Sequence, residues 1–242
     1  MITELRIEKV SKSFPGVKAL DEANLVLKGG TVHALLGENG AGKSTLIKII
    51  TGVYRADSGS LKTNGEERFF NSPIEATDAG IAVVHQERNL IPEFSVEENI
   101  TLHRPPTKFG IVDRAERTRM AKKALETLGF EIDLTERVKN LSVAQMQLVE
   151  IAKALVTNAR LILLDEPTSS ITSGETVKLF EVIRRLKESG AAILFVSHKL
   201  EEVYEICDTV TVLRDGESVL ESQPLADYTQ GEIVDAMVGR HF

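Results

Sequence analysis

The chain has 242 residues, 42% hydrophobic and 27% charged, with a formal net charge of −7 and a single cysteine, Cys207. This balance suits a globular α/β protein of the reducing cytosol, excludes an internal disulfide, and argues against a general nucleic-acid binder, which presents a basic face. The longest uninterrupted apolar run, AAILFV at 191–196, falls far short of the ~20 residues that cross a bilayer. The opening MITELRIEKV is mixed and strand-like, unlike a leader, so any membrane role is expected to act through a partner.

Strands are predicted at 5–10 (LRIEKV), 23–27 (ANLVL), 32–36 (VHALL), 81–85 (IAVVH), 161–165 (LILLD), 192–197 (AILFVS) and 210–214 (VTVLR). Several are almost wholly apolar, as strands buried on both faces of a parallel sheet must be. Asn64-Gly65 and Asp215-Gly216 each separate two extended stretches and predict tight hairpins. The expectation is a mostly parallel core with an antiparallel extension near the N-terminus.

Residues 87–158 read as a helical insertion in that core. Over 113–129, Asp113 is the expected N-cap, with Glu116 three positions on. Met120, Ala121, Ala124, Leu125 and Leu128 form one apolar stripe, and Gly129 ends the helix. A second helix is expected after Leu141-Ser142, with Met146, Val149 and Ile151 facing inward.

GENGAGKST at 37–45 matches G-x-x-x-x-G-K-[ST], through Gly37, Gly42, Lys43 and Ser44. A strand signal precedes it and a helix signal follows. Such glycines let backbone N–H groups of the loop turn toward phosphate oxygens, and the helix adds its N-terminal dipole. Lys43 suits the β- and γ-phosphates, and the Ser44 hydroxyl suits Mg²⁺. This predicts a nucleoside triphosphate site. LILLD then delivers Asp165 to a strand end as a second Mg²⁺ ligand. Glu166 beside it is a candidate general base for water.

Gly37–Thr45, Gln86, Leu141–Gln145, Asp165-Glu166 and His198, in this order, resemble an ABC-type ATPase cassette over essentially the whole chain. The resemblance implies a P-loop (RecA-like) α/β core from 1–86 and 159–242, an antiparallel β subdomain, and a helical subdomain over 87–158. It implies ATP on Gly37, Glu38, Asn39, Gly40, Ala41, Gly42, Lys43, Ser44 and Thr45. It adds Phe14 stacked on adenine, and Mg²⁺ on Ser44, Gln86 and Asp165. Glu166, His198 and Lys43 take catalytic roles. LSVAQ corresponds to the family signature LSGGQ, so Ser142, Val143, Ala144 and Gln145 close over the ATP of a partner cassette. Val143 and Ala144 depart from that signature, and the Cβ of Ala144 keeps the partner's nucleotide slightly further away. Thr172 stands where the family often carries an aspartate that couples the two sites.

GENGAGKSTLIKIITGVY, VVHQERNLIPEFSVEENI, LVEIAKAL and the closing MVGR (237–240) further resemble ATP subunits of bacterial ribose/galactose/xylose-type importers. In these one polypeptide usually carries two cassettes. The expected partners are a second cassette (the other half of a longer chain or an identical copy), membrane-spanning permease subunits contacted through 88–100, and indirectly a sugar-binding protein. The expected location is the cytoplasmic face of the bacterial inner membrane. A soluble ABC ATPase on DNA or ribosomes would call for a long coiled-coil insertion or a basic face, and neither is present. A regulatory cassette without turnover would lack Glu166 or His198. A GTPase or small-molecule kinase would share the 37–45 loop without needing LSVAQ, and no N-K-x-D is present.

Overall fold

The computed structural model describes residues 2–84 and 89–239. In chain order, β1 (Glu4–Phe14) and β2 (Val17–Lys28) form a long hairpin. β3 (Val32–Leu36) runs into the glycine loop and α1 (Lys43–Ile50). β4 (Ser58–Thr63), β5 (Glu66–Glu67), α2 (Pro73–Asp78) and β6 (Ile81–Val84) follow. The next stretch holds α3 (Val96–Ile100), β7 (Thr107–Lys108), β8 (Ile111–Val112), α4 (Arg114–Leu128) and α5 (Val143–Val156). The chain closes with β9 (Leu161–Asp165), α6 (Ser173–Glu188), β10 (Ala192–Val196), α7 (Leu200–Ile206), β11 (Thr209–Arg214), β12 (Glu217–Pro224) and α8 (Gln230–Val238).

The central sheet has the order β12-β11-β3-β10-β9-β6 and is parallel except for β12. Its two faces follow the period of two dictated by the strand. Leu35, Leu161, Leu163, Leu194 and Val196 face the antiparallel sheet β2-β1-β4-β5 and α1. Ala34, Leu36, Ile162, Leu164, Ile193 and Phe195 face α4, α5, α6 and α7. Strands covered on both sides must be apolar throughout, which is why VHALL and AILFV are.

Both predicted turns form. Asn64-Gly65 and Asp215-Gly216 all have positive φ (52°, 83°, 51° and 85°) and join β4 to β5 and β11 to β12, the conformation that Asn-Gly and Asp-Gly favour. β5, however, covers only two residues, Glu66–Glu67, so the second extended stretch of that hairpin is short. The 113–129 helix also forms. Asp113 accepts from Glu116 N–H, and Gly129 ends it at φ 75°. Met120 is only half-buried, while the other four stripe residues are buried. The 87–158 stretch contains more than helices: β7 and β8 make a small antiparallel hairpin within it.

Candidate nucleotide site

The parallel strands deliver the site residues to one edge. Leu35 and Asp165 are both registered opposite Val196. The glycine loop, the acid pair and the loop carrying His198 therefore leave three adjacent strands at one level, beyond their C-terminal ends, where α/β sheets bind ligands.

Two glycines of the loop, Gly37 and Gly42, are required by space alone. A Cβ at Gly37 (φ 148°) would lie 2.2 Å from the carbonyl oxygen of Leu213. At Gly42 (φ 106°) it would lie 2.6 Å from Ala19 O and 2.7 Å from Leu20 Cδ2. Gly216 N–H donates to Ala41 O at 3.2 Å, and Asp21 N–H donates to Gly216 O at 2.9 Å. The Asp215-Gly216 turn and β2 are thus the floor of the loop. The sequence signal for that turn was present, but nothing local tied it to residues 37–42.

Glu38, Asn39, Gly40 and Ser44 are exposed, Gly37, Lys43 and Thr45 half-buried, and Ala41 buried. Lys43 folds back on its own loop, donating from Nζ to Gly37 O at 2.7 Å and Glu38 O at 3.0 Å. Burial lowers the Lys43 pKa, and the charges of Glu166 and Asp165 act in the opposite sense. The acid pair is therefore within electrostatic reach of the lysine.

Glu166 holds a left-handed backbone, φ 46°, a conformation that costs a non-glycine residue about 1–2 kcal/mol. Its N–H donates to Val196 O at 2.9 Å. Its carboxylate Oε1 lies 3.3 Å from Nδ1 of His198, itself largely exposed. Oxygen donors from Asp165 and Ser44 are the hard ligands that Mg²⁺ takes. Gln86, the third residue of that set, lies outside the described residues.

Phe14, half-buried at the end of β1, meets Tyr54 edge-on with ring centroids 5.2 Å apart. Lys12 Nζ sits 5.7 Å from the Phe14 ring centre. Tyr54 carries no local signal in the sequence, as a lone tyrosine just after a helix.

The second loop stands apart in the chain. Ser142 is the N-cap of α5: its Oγ accepts from Gln145 N–H at 3.2 Å, and its N–H donates to Gln145 Oε1 at 2.9 Å. Val143 and Ala144 form the first helical turn. Beside them a cleft of about 400 Å³ runs between α5 and α6, lined by Phe130, Ala144, Gln147, Leu148 and Leu179. Thr172 caps α6 in the same way, through Glu175. An aspartate there would also cap, so the local structure does not depend on which is present.

A family model described as "ABC transporter" matches residues 20–169. The chain is 49% identical over 236 residues to the "Galactose/methyl galactoside import ATP-binding protein MglA" of Escherichia coli (strain K12), covering 98% of this chain and 46% of that relative. It thus spans about half the length of the curated relatives it matches. A solved structure described as the ADP conformation of an ATP-binding cassette of an ABC transporter is 30% identical. It covers 99% of this chain and 96% of that one, with a TM-score of 0.83. A dimeric structure of a bacterial ABC transporter cassette is 28% identical, covering 88% and 96%, with a TM-score of 0.75. The chain therefore belongs to the ABC transporter family and folds as one of its ATP-binding cassettes.

Proposed function

We propose that this chain binds and hydrolyses ATP, and that this closes and reopens a sandwich with a second cassette to power sugar import. The observation carrying this reading is the strained Glu166 at the end of β9, in contact with His198 and within electrostatic reach of Lys43. The similarity to galactose/methyl galactoside import ATP-binding proteins supplies the substrate class.

Backbone N–H groups of 37–45 cradle the phosphates, and Lys43 leaves its carbonyl partners to reach the β- and γ-oxygens. Phe14 carries the adenine. Ser44, Gln86 and Asp165 would hold Mg²⁺, whose charge would offset that of the phosphates. Glu166 orients a water and accepts its proton as the oxygen attacks the γ-phosphorus. The bond to the bridging oxygen breaks, releasing ADP and phosphate. His198 stabilises the charge on the transferred group.

The 142–145 turn of one cassette closes over the phosphates held by its partner, whether an identical copy or the other half of a longer chain. In this reading 1–86 and 159–242 form the nucleotide core and 87–158 the arm that meets a permease on the cytoplasmic side of the membrane. A cleft of about 420 Å³, lined by Ile74, Ala82, Asn89, His103 and Lys153, is the proposed seat of that permease, next to the 88–100 segment, whose first residue lies outside the described residues. Among the described residues no helix is long and apolar enough to cross a membrane.

Light scattering after size exclusion of Glu166→Gln, with and without Mg·ATP, tests the reading. ATP-dependent pairing supports it. A chain that binds no ATP and stays unchanged overturns it.

A further inference from the structure

The Glu166–His198 contact joins two loops that leave different strands, and one side chain fastens both. Glu202, in the first turn of α7, has a side chain only 13% exposed. Its Oε2 accepts from Thr168 Oγ1 at 2.5 Å and from Ser197 Oγ at 3.3 Å. Its Oε1 accepts from Lys199 Nζ at 2.9 Å. The same ammonium donates to Thr168 O at 3.4 Å, and Lys199 N–H donates to Ser197 Oγ at 3.1 Å. Thr168 and Ser197 are themselves buried, 2% and 6% exposed.

Thr168 stands two residues after Glu166, and Ser197 directly precedes His198. A non-glycine backbone persists in the left-handed region only where its surroundings over-determine it. One carboxylate taking hydrogen bonds from both loops, with a charge-assisted one from Lys199, supplies that constraint. The Glu202 carboxylate is acceptor-only. A glutamine keeps one acceptor oxygen, but its amide N–H groups would face either the Lys199 ammonium or the two hydroxyls.

We infer that Glu202 is a positioning residue for ATP hydrolysis, setting the Glu166–His198 geometry by tying both loops to α7. It touches neither residue. The inference rests on the reading of that pair as the reacting groups.

The test compares Glu202→Gln and Thr168→Val with Thr168→Ser, which keeps the hydroxyl, and with Glu201→Gln, an exposed neighbour on α7. The readouts are kcat and KM for Mg·ATP, and the imidazole NMR signal of His198 at one pH, assigned through its loss in His198→Gln. The expected result for the first two variants is a kcat lowered about 10²-fold, the scale of a small misplacement of catalytic groups. KM should stay within about twofold, and the His198 signal should move. Thr168→Ser should retain parental values, and Glu201→Gln should match the parent.

Superimposable His198 signals in Glu202→Gln and Thr168→Val would overturn the inference, as would a moved signal with unchanged kcat. The NMR comparison needs no turnover, so a chain that binds no ATP would refute the functional reading while an unmoved His198 would refute this one. If Glu202→Gln does not fold, the Val/Ser pair at Thr168 decides.

Discussion

His198 Nδ1 lies 3.3 Å from Glu166 Oε1 across 32 positions of sequence, with the glutamate held at φ 46°. A strained backbone at a reacting group trades stability for placement. Replacing Glu166 by glycine removes the Cβ conflict and the carboxylate together. The expected outcome is a protein no less stable than the parent, and more stable by up to about 1 kcal/mol, with hydrolysis abolished. Chemical denaturation and phosphate release on the same preparation check both halves.

The loop glycines should differ in what they tolerate. At Gly42 an added Cβ meets Ala19 O and Leu20, and at Gly37 it meets Leu213 O, whereas at Gly40 nothing lies within 4 Å. Gly40→Ala should cost only the conformational term, about 1–2 kcal/mol. Gly42→Ala and Gly37→Ala should cost visibly more, because backbone must shift as well. Thermal melts of the three variants rank them.

A buried network gives a pH dependence with a definite sign. His33 is 1% exposed between Thr209 and Thr211, and burial pushes its pKa down to about 3. The unfolded chain, with an ordinary histidine near 6.5, therefore binds one more proton than the fold between those values. The stability from a neutral His33 is fully present above about pH 6.5 and declines below it, by at most about 1.4 kcal/mol per pH unit. Denaturation curves between pH 7.5 and 5 should show this slope, and His33→Gln should flatten it.

Ser142 offers a separation of cap from signature. Ser142→Ala should lose about 0.5–2 kcal/mol with the cap. Ser142→Asp keeps a good N-cap, but sets a negative charge where the partner's γ-phosphate is proposed to sit. It should match the parent in thermal stability while losing ATP-dependent pairing. Melting curves and light scattering read the two effects separately.

The legible parts of this fold were those in which a residue type answers to a local demand. Glycine and lysine at 37–43, the apolar strands ending at Leu36 and Asp165, and the two turns with φ above zero all carry their mechanism in a few adjacent residues. The β7–β8 hairpin was not legible. Its strands have two residues each, and its turn is Phe109-Gly110, with φ 54° at the phenylalanine, where Asn or Asp would have been the usual signal. α3 is five residues long, too short for periodicity to register. The support of the site was also hidden. Gly216 under Ala41 and Glu202 between Thr168 and Ser197 are contacts across distant segments, and no spacing announces them. Sequence located the groups proposed to react; only the fold disclosed what holds them still.

The most direct test of the account is phosphate release from Mg·ATP by the parent chain and by Glu166→Gln, with ATP binding measured in parallel. The account predicts turnover in the parent and a loss of at least about 10²-fold in the variant, the low end of what a general base contributes, with ATP still bound. Equal turnover in the two proteins would contradict it.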